Sequence, residues 1–170
     1  IEYVILQPSN VIGWAEGKAF PLLGMMRTIK NGLFTYFDEG AACFNYVAVE
    51  DVAGGLAAAM SPQAANHTFI LNTPFQLKQA VDWIADEIGV VRPTRSLPAA
   101  LGFVAGKVAS ALTRVIGKSL PFSEERFNEL TNKTLYDGSA IVKATGFAYP
   151  LGIEAAISML ARQYVNEGLL

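Results

Sequence analysis

The chain has 170 residues, enough for one domain with its own core, and 52% are hydrophobic against 16% charged, which excludes intrinsic disorder. A formal charge of -2, with Lys and Arg scattered, lacks the basic stripe that nucleic-acid binding asks for. A single cysteine, Cys43, excludes an internal disulfide and CxxC-type metal spacing. The single histidine, His67, lies in a strand-like run and reads as structural. Both suit a reducing cytoplasm.

The first residues, Ile1 to Leu6, are too short and lack the basic leader of a signal peptide. They start within an apolar run without Met, which reads as a piece of something longer. Glu2 to Leu6 predicts a buried strand stopped by Pro8, followed by a loop with Gly13 and Gly17. A helix is predicted from about Ala19 to Lys30, ending at Asn31-Gly32, then a short strand over Leu33 to Phe37 and a turn at Asp38-Glu39-Gly40. Phe44 to Val49 predicts a strand running into a helix from about Glu50 to Met60, with Glu50 and Asp51 in the first turn, complementing the dipole. Ser61-Pro62 stops that helix, His67 to Asn72 is a strand, and Thr73-Pro74 a turn. Gln76 to Ile88 is an amphipathic helix closed by Gly89, with Val81, Ile84, Ala85 and Ile88 on one face.

An extended piece, Val90 to Arg95, leads to a long helix starting near Pro98, striped by Leu101, Val104, Val108, Leu112 and Val115. Lys107 and Arg114 interrupt this apolar stretch and argue against a membrane span. Ser123 reads as an N-cap, Asp137 as the cap of a helix ending at Gly146, and Gly152 to Val165 as a last helix burying Ile153, Ile157, Leu160 and Tyr164. Alternating strands and helices followed by a mostly helical second half predict an α/β architecture.

Three segments carry a resemblance. They are Val4-Ile5-Leu6-Gln7-Pro8-Ser9-Asn10-Val11-Ile12-Gly13, then Phe44-Asn45-Tyr46-Val47-Ala48-Val49-Glu50-Asp51-Val52-Ala53, then Asp137-Gly138-Ser139 with Gly146-Phe147 and Pro150. In order and near-spacing they resemble the extended short-chain dehydrogenase/reductases, the NAD-dependent epimerase/dehydratase family. The resemblance implies that residues 1–170 are the C-terminal, substrate-binding portion of such a protein, with an N-terminal Rossmann domain missing and a small-molecule substrate closed between the two. A homodimer is compatible with it. It also implies that Pro8 and Ser9 line the nicotinamide side of the cleft and that Asn10 contacts substrate. Asn10 also reads simply as a turn residue satisfying local backbone.

Departures bear on the substrate. Phe44 stands where sugar-nucleotide epimerases often carry a diphosphate-pairing Arg, and Phe cannot pair with an anion. Arg126, otherwise part of a solvated helix start at Glu124-Glu125-Arg126, is the basic candidate for reaching a substrate phosphate. The apolar stretch after Pro98 is similar to relatives acting on steroids, flavonoids or other lipophilic alcohols.

The family's chemistry needs a Tyr with a Lys four residues on, and a glycine-rich loop that cradles the pyrophosphate. None of Tyr3, Tyr36, Tyr46, Tyr136, Tyr149 and Tyr164 has Lys at i+4, and no GxGxxG or GxxGxxG follows a strand. Gly54-Gly55 and the Gly102/Gly106 pair read as helix packing. No catalytic residue and no metal ligand is assigned, and the 170 residues alone are not expected to bind NAD or NADP tightly. Two expectations follow for the whole protein: an NAD(P)-dependent oxidoreductase or epimerase acting on a nucleotide sugar or a lipophilic alcohol or ketone, or a non-catalytic dinucleotide-binding sensor or scaffold. An unrelated α/β domain is the plain alternative.

Overall fold

A computed structural model of the chain describes residues 1–15, 21–98, 100, 128 and 131–170. Its elements, in chain order, are β1 (Val4–Pro8), β2 (Asn10–Ile12), α1 (Pro21–Lys30), β3 (Tyr36–Phe37), β4 (Cys43–Ala48), α2 (Val49–Ala58), β5 (His67–Leu71), β6 (Thr73–Gln76), α3 (Leu77–Ile88), β7 (Ser96–Leu97), α4 (Ser139–Thr145) and α5 (Ile153–Asn166). The strands form three small sheets: β1 parallel to β5, β3 parallel to β7, and β2–β4–β6 with β2 parallel and β6 antiparallel to β4. This is the α/β architecture that the alternating pattern predicts. The helix expected from Pro98, its apolar stripe, Ser123 and Arg126 lie outside the described residues.

Three local expectations are corrected. Pro8 is the last residue of β1 rather than the residue beyond it, since a strand's terminal position tolerates a missing N–H. Asn10–Ile12, read as loop, pairs with Tyr46, Val47 and Ala48. Thr73-Pro74, read as a turn, belongs to β6, where Pro74 stands opposite Asn45. Among the described residues β6 pairs with β4 alone, and at such an edge a proline removes no needed donor.

Two cores hold these elements. In the larger, Leu22, Met26 and Ile29 of α1 meet Val81, Ile84 and Ala85 of α3 and Ile157, Leu160 and Tyr164 of α5, all at most 5% exposed. Burying each such aliphatic side chain stabilises by about 1.5–3 kcal/mol. Helix α3 is defined at both ends. Gln76 and Gln79 form a reciprocal capping box, and Gly89 takes the left-handed conformation (φ 72°) that glycine adopts without strain. Arg162 of α5 reaches Glu87 of α3 through two N–H donors, 2.7 and 3.1 Å from the carboxylate oxygens. The smaller core joins Val47, Phe69 and Leu71 to Ile141 and Phe147.

The acidic pair opening α2 divides. Glu50 is exposed, as a solvated dipole partner would be, but Asp51 is completely buried. Its carboxylate accepts the main-chain N–H groups of Leu151 (2.9 Å) and Gly152 (3.1 Å), just ahead of α5. Beyond β3, the turn expected at Asp38-Glu39-Gly40 forms with positive φ at all three residues. Tyr36 beside it is 3% exposed, and its hydroxyl has no partner among the described residues. Burial, with the charge of Asp82 adding, pushes its phenol up to about 12. No helix among the described residues is long and apolar enough to cross a membrane.

Candidate functional site

The parallel register of β1 and β5 sets Pro8 opposite Leu71, so both strands release their chains at the same level. The residues that follow, Ser9 and Asn72, meet there. The N–H of Ser9 donates to the carbonyl of Leu71 (3.0 Å), and the Ser9 hydroxyl donates to Asn72 Oδ1 (2.8 Å). In an open α/β sheet, the carboxyl ends of parallel strands are where ligands bind.

Asn72 is 2% exposed and is the hub of a larger network. Its Nδ2 donates to Asn45 Oδ1 (3.0 Å) and to the carbonyl of Tyr136 (2.8 Å). Asn45 Oδ1 also accepts the N–H of Tyr136 (2.8 Å), while Asn45 Nδ2 donates to the carbonyl of Thr134 (2.8 Å). Two side-chain amides therefore satisfy both main-chain groups of Tyr136, as a neighbouring strand would.

The chain then passes Gly138, where a side chain would run into the carbonyl of Asn72 and the Tyr149 hydroxyl. The N–H of Asn72 donates to Tyr149 Oη (3.2 Å), and that hydroxyl donates to the carbonyl of Gly138 (3.0 Å). Burial raises the Tyr149 phenol above its ordinary value. Asp137 does not cap α4 as expected, because Gly138 holds the N-cap position; its Oδ1 instead accepts the N–H of Ser139, the first helical residue (2.8 Å), and hydrogen bonding to Ser139 holds its carboxyl below the usual range.

Of the residues singled out in the sequence, Pro8, Ser9 and Asn10 come together at this end of the sheet. Pro8 and Asn10 are exposed and Ser9 is half-buried. Phe44 is half-buried in an aromatic group, its ring 5.7 Å from Phe75 and 6.0 Å from Tyr46, with Trp83 beyond at 5.9 Å from Phe75. Arg126 lies outside the described residues. His67 is exposed, with Nδ1 2.7 Å from the carbonyl of Ala65 and its ring stacked on Phe69. No cluster of three or more potential metal ligands occurs among the described residues. Sequence reasoning missed the network of Asn72 and Asn45 and the burial of Asp51, because their partners lie 27 to 101 residues away.

No family model and no curated protein matches the chain. Solved structures do. A nucleoside-diphosphate-sugar epimerase from Pseudomonas aeruginosa aligns with a TM-score of 0.64 at 16% identity, over 98% of this chain and 49% of its own. UDP-glucose 4-epimerase from Thermotoga maritima, solved with UDP-glucose, aligns at 0.58 and 17% identity, over 100% of this chain and 48% of its own. A human epimerase family protein solved with NADPH aligns at 0.58 and 16% identity, over 94% and 48%. The chain spans about half the length of these structures. Its fold is therefore that of about half of each of these epimerase structures.

The half-buried Ser9 hydroxyl stands at the carboxyl end of a parallel strand and suits a polar ring substituent. A pyrophosphate needs a glycine-rich strand–turn–helix, which these 170 residues do not contain.

Proposed function

From a chain with the fold of half an epimerase or dehydratase, we propose that it is the substrate-binding part of an NAD(P)-dependent oxidoreductase or epimerase. The observation that carries this reading is the Ser9–Asn72–Asn45 platform at the carboxyl ends of two parallel strands, with Pro8 and Asn10 exposed beside it. On this reading Pro8 and Ser9 line the nicotinamide side, and Asn10, Phe44 and Arg126 contact substrate. A Rossmann domain outside these residues supplies the phosphate cradle and the Tyr–Lys pair, and the whole works in the cytoplasm.

The substrate is a nucleotide sugar or a lipophilic alcohol or ketone. Phe44 supports the lipophilic arm, because its ring continues the apolar group of Phe75 and Tyr46 and offers an anion nothing. When bound, the dinucleotide would supply hydride transfer. The residues here bind and orient the substrate and exclude water.

The test is to clone the longest reading frame containing this chain, confirm that the purified protein binds NADH or NADPH, and screen it with UDP-glucose, dTDP-glucose and a panel of cyclic secondary alcohols. Turnover of a member of either class supports the proposal. Dinucleotide binding without turnover, in a protein whose glycine loop is present but whose Tyr–Lys pair is not, would instead identify a sensor or scaffold.

A further inference from the structure

Backbone strain gathers at the turn after β3. Asp38, Glu39 and Gly40 run consecutively at positive φ (46°, 60° and 77°), and for Glu39 this left-handed conformation crowds Cβ against the carbonyl oxygen. Glycine takes it freely, so the other two residues are held there by contacts beyond their own preference. The turn closes through the N–H of Ala41 on the carbonyl of Asp38 (3.2 Å). The grip on Glu39 comes from β7. The Glu39 N–H donates to Ser96 Oγ (3.0 Å), and beside it the Tyr36 N–H donates to the carbonyl of Arg95 (2.9 Å). β7 is two residues long and both are exposed, so a small force detaches it.

A second anomaly lies against the turn. Tyr36 Oη, a donor, and Asp82 Oδ1, an acceptor, are both buried without a partner among the described residues, although each is what the other lacks. The charge of Asp82 acts on the Tyr36 phenol, so the two groups are neighbours. The turn and the ring are also joined by packing. A Cβ on Gly40 would meet the Tyr36 ring at 2.7 Å and the Cβ of Lys78, one helical turn before Asp82, at 3.3 Å. The turn cannot relax without shifting the ring.

We propose that residues 38–40 form a two-state latch held by Ser96. Docked, Ser96 keeps Glu39 in its strained form and the Tyr36 hydroxyl unpaired. Released, the turn relaxes to negative φ at Asp38 and Glu39, and Tyr36 donates to Asp82 Oδ1. The strain and the unmade bond favour release, and the two hydrogen bonds from β7 oppose it. Such a balance between two discrete arrangements is what a small contact can tip. β7 runs directly into the apolar stretch after Pro98, so a pull on that stretch reaches α3 through Ser96, Tyr36 and Asp82.

Amide exchange and side-chain carboxyl resonances, followed by NMR on the whole protein, test this. Ser96→Ala is expected to lower protection about five-fold or more at Glu39, which loses its acceptor, and equally at the Tyr36 amide. It should also move the Asp82 carboxyl carbon resonance, as that group gains a donor. Glu39→Gly takes the strain out of the docked form and is expected to raise protection of the Tyr36 amide about three- to ten-fold. Added to Ser96→Ala, it should return the Asp82 resonance toward its original position. If Ser96→Ala loosens the Glu39 amide alone, with Tyr36 and Asp82 unchanged, Ser96 caps one N–H and the latch is overturned. A double variant that stays like Ser96→Ala overturns it too, because strain then does not drive release. Should Ser96→Ala fail to fold, Glu39→Gly decides: a gain in protection at the Tyr36 amide supports the latch, and no gain ends it.

Discussion

Asp51 and Gly152 are 101 residues apart in sequence, and the carboxylate of one accepts the main-chain N–H of the other at 3.1 Å. With the parallel bond from Leu151, this buried charge ties the start of α2 to the start of α5, one of the helices that walls the larger core. Removing it leaves two half-buried main-chain donors without their acceptor. Asp51→Ala is expected to lower unfolding stability by about 2–4 kcal/mol. Urea denaturation followed by circular dichroism measures this, and a loss below about 1 kcal/mol would mean that water replaces the carboxylate freely.

Asn72 is a case in which the isosteric change is the worse one. Asn72→Ala deletes three side-chain hydrogen bonds and should cost about 2–3 kcal/mol. Asn72→Asp keeps the shape but turns a carboxylate oxygen toward the Tyr136 carbonyl and Asn45 Oδ1, so it should cost at least about 1 kcal/mol more. Matched denaturation curves for the two variants settle the order, and an aspartate variant as stable as the alanine one would contradict it.

At Gly138 a methyl group would collide with the carbonyl of Asn72 and lie 2.7 Å from the Tyr149 hydroxyl. Neither is the free end of a flexible side chain, so the backbone must give. Gly138→Ala is expected to cost about 1–3 kcal/mol. Its signature is a loss of amide protection at Asn72 in hydrogen exchange, since Tyr149 accepts that N–H. Unchanged protection there would show that the segment simply moves outward.

Tyr36 gives a pH dependence with a definite sign. Its phenol is raised to about 12 in the fold from an ordinary value of 10.0, so between those values the unfolded chain loses the proton while the folded chain keeps it. That contribution is complete below pH 10 and is lost as pH rises toward 12. Tyr36→Phe should flatten this part of the stability curve. At pH 7 it should be neutral or stabilising by up to about 1 kcal/mol, because the hydroxyl it removes has no partner among the described residues. Urea midpoints at pH 7, 9 and 11 test both statements; a variant whose midpoint falls as steeply as the wild type's would remove Tyr36 as the cause.

What was legible in the sequence follows the range of the forces involved. Helix α3 is written in a 3.6-residue period and a closing glycine, and α5 in the same period, all local signals, and the four α5 residues read as core are all buried. Pro74 misled because proline is a poor strand former everywhere except at an edge, and edge status depends on which strands assemble. Pro8, Ser9 and Asn10 stand together because they are contiguous in the sequence. Asn45 and Asn72 were not legible, since an asparagine after a strand is as readily a turn residue as a hub, and only the fold brings the 134–138 segment to them. Asp51 was legible as a helix-start acid; its burial and its grip on residues 151 and 152 were not.

The Asn45–Asn72 clamp also dictates when, during synthesis on the ribosome, this end of the molecule can be finished. Ser9 is made before either amide, but the Tyr136 group that completes its network is made 64 residues after Asn72 and 91 after Asn45. At ordinary elongation rates that is a delay on the order of 3–18 s. Through that interval both amides lack their final partners and remain open to water or to chaperones. A chain ending before Thr134 would thus carry Pro8, Ser9 and Asn10 while Asn45 and Asn72 still lacked their Thr134 and Tyr136 partners.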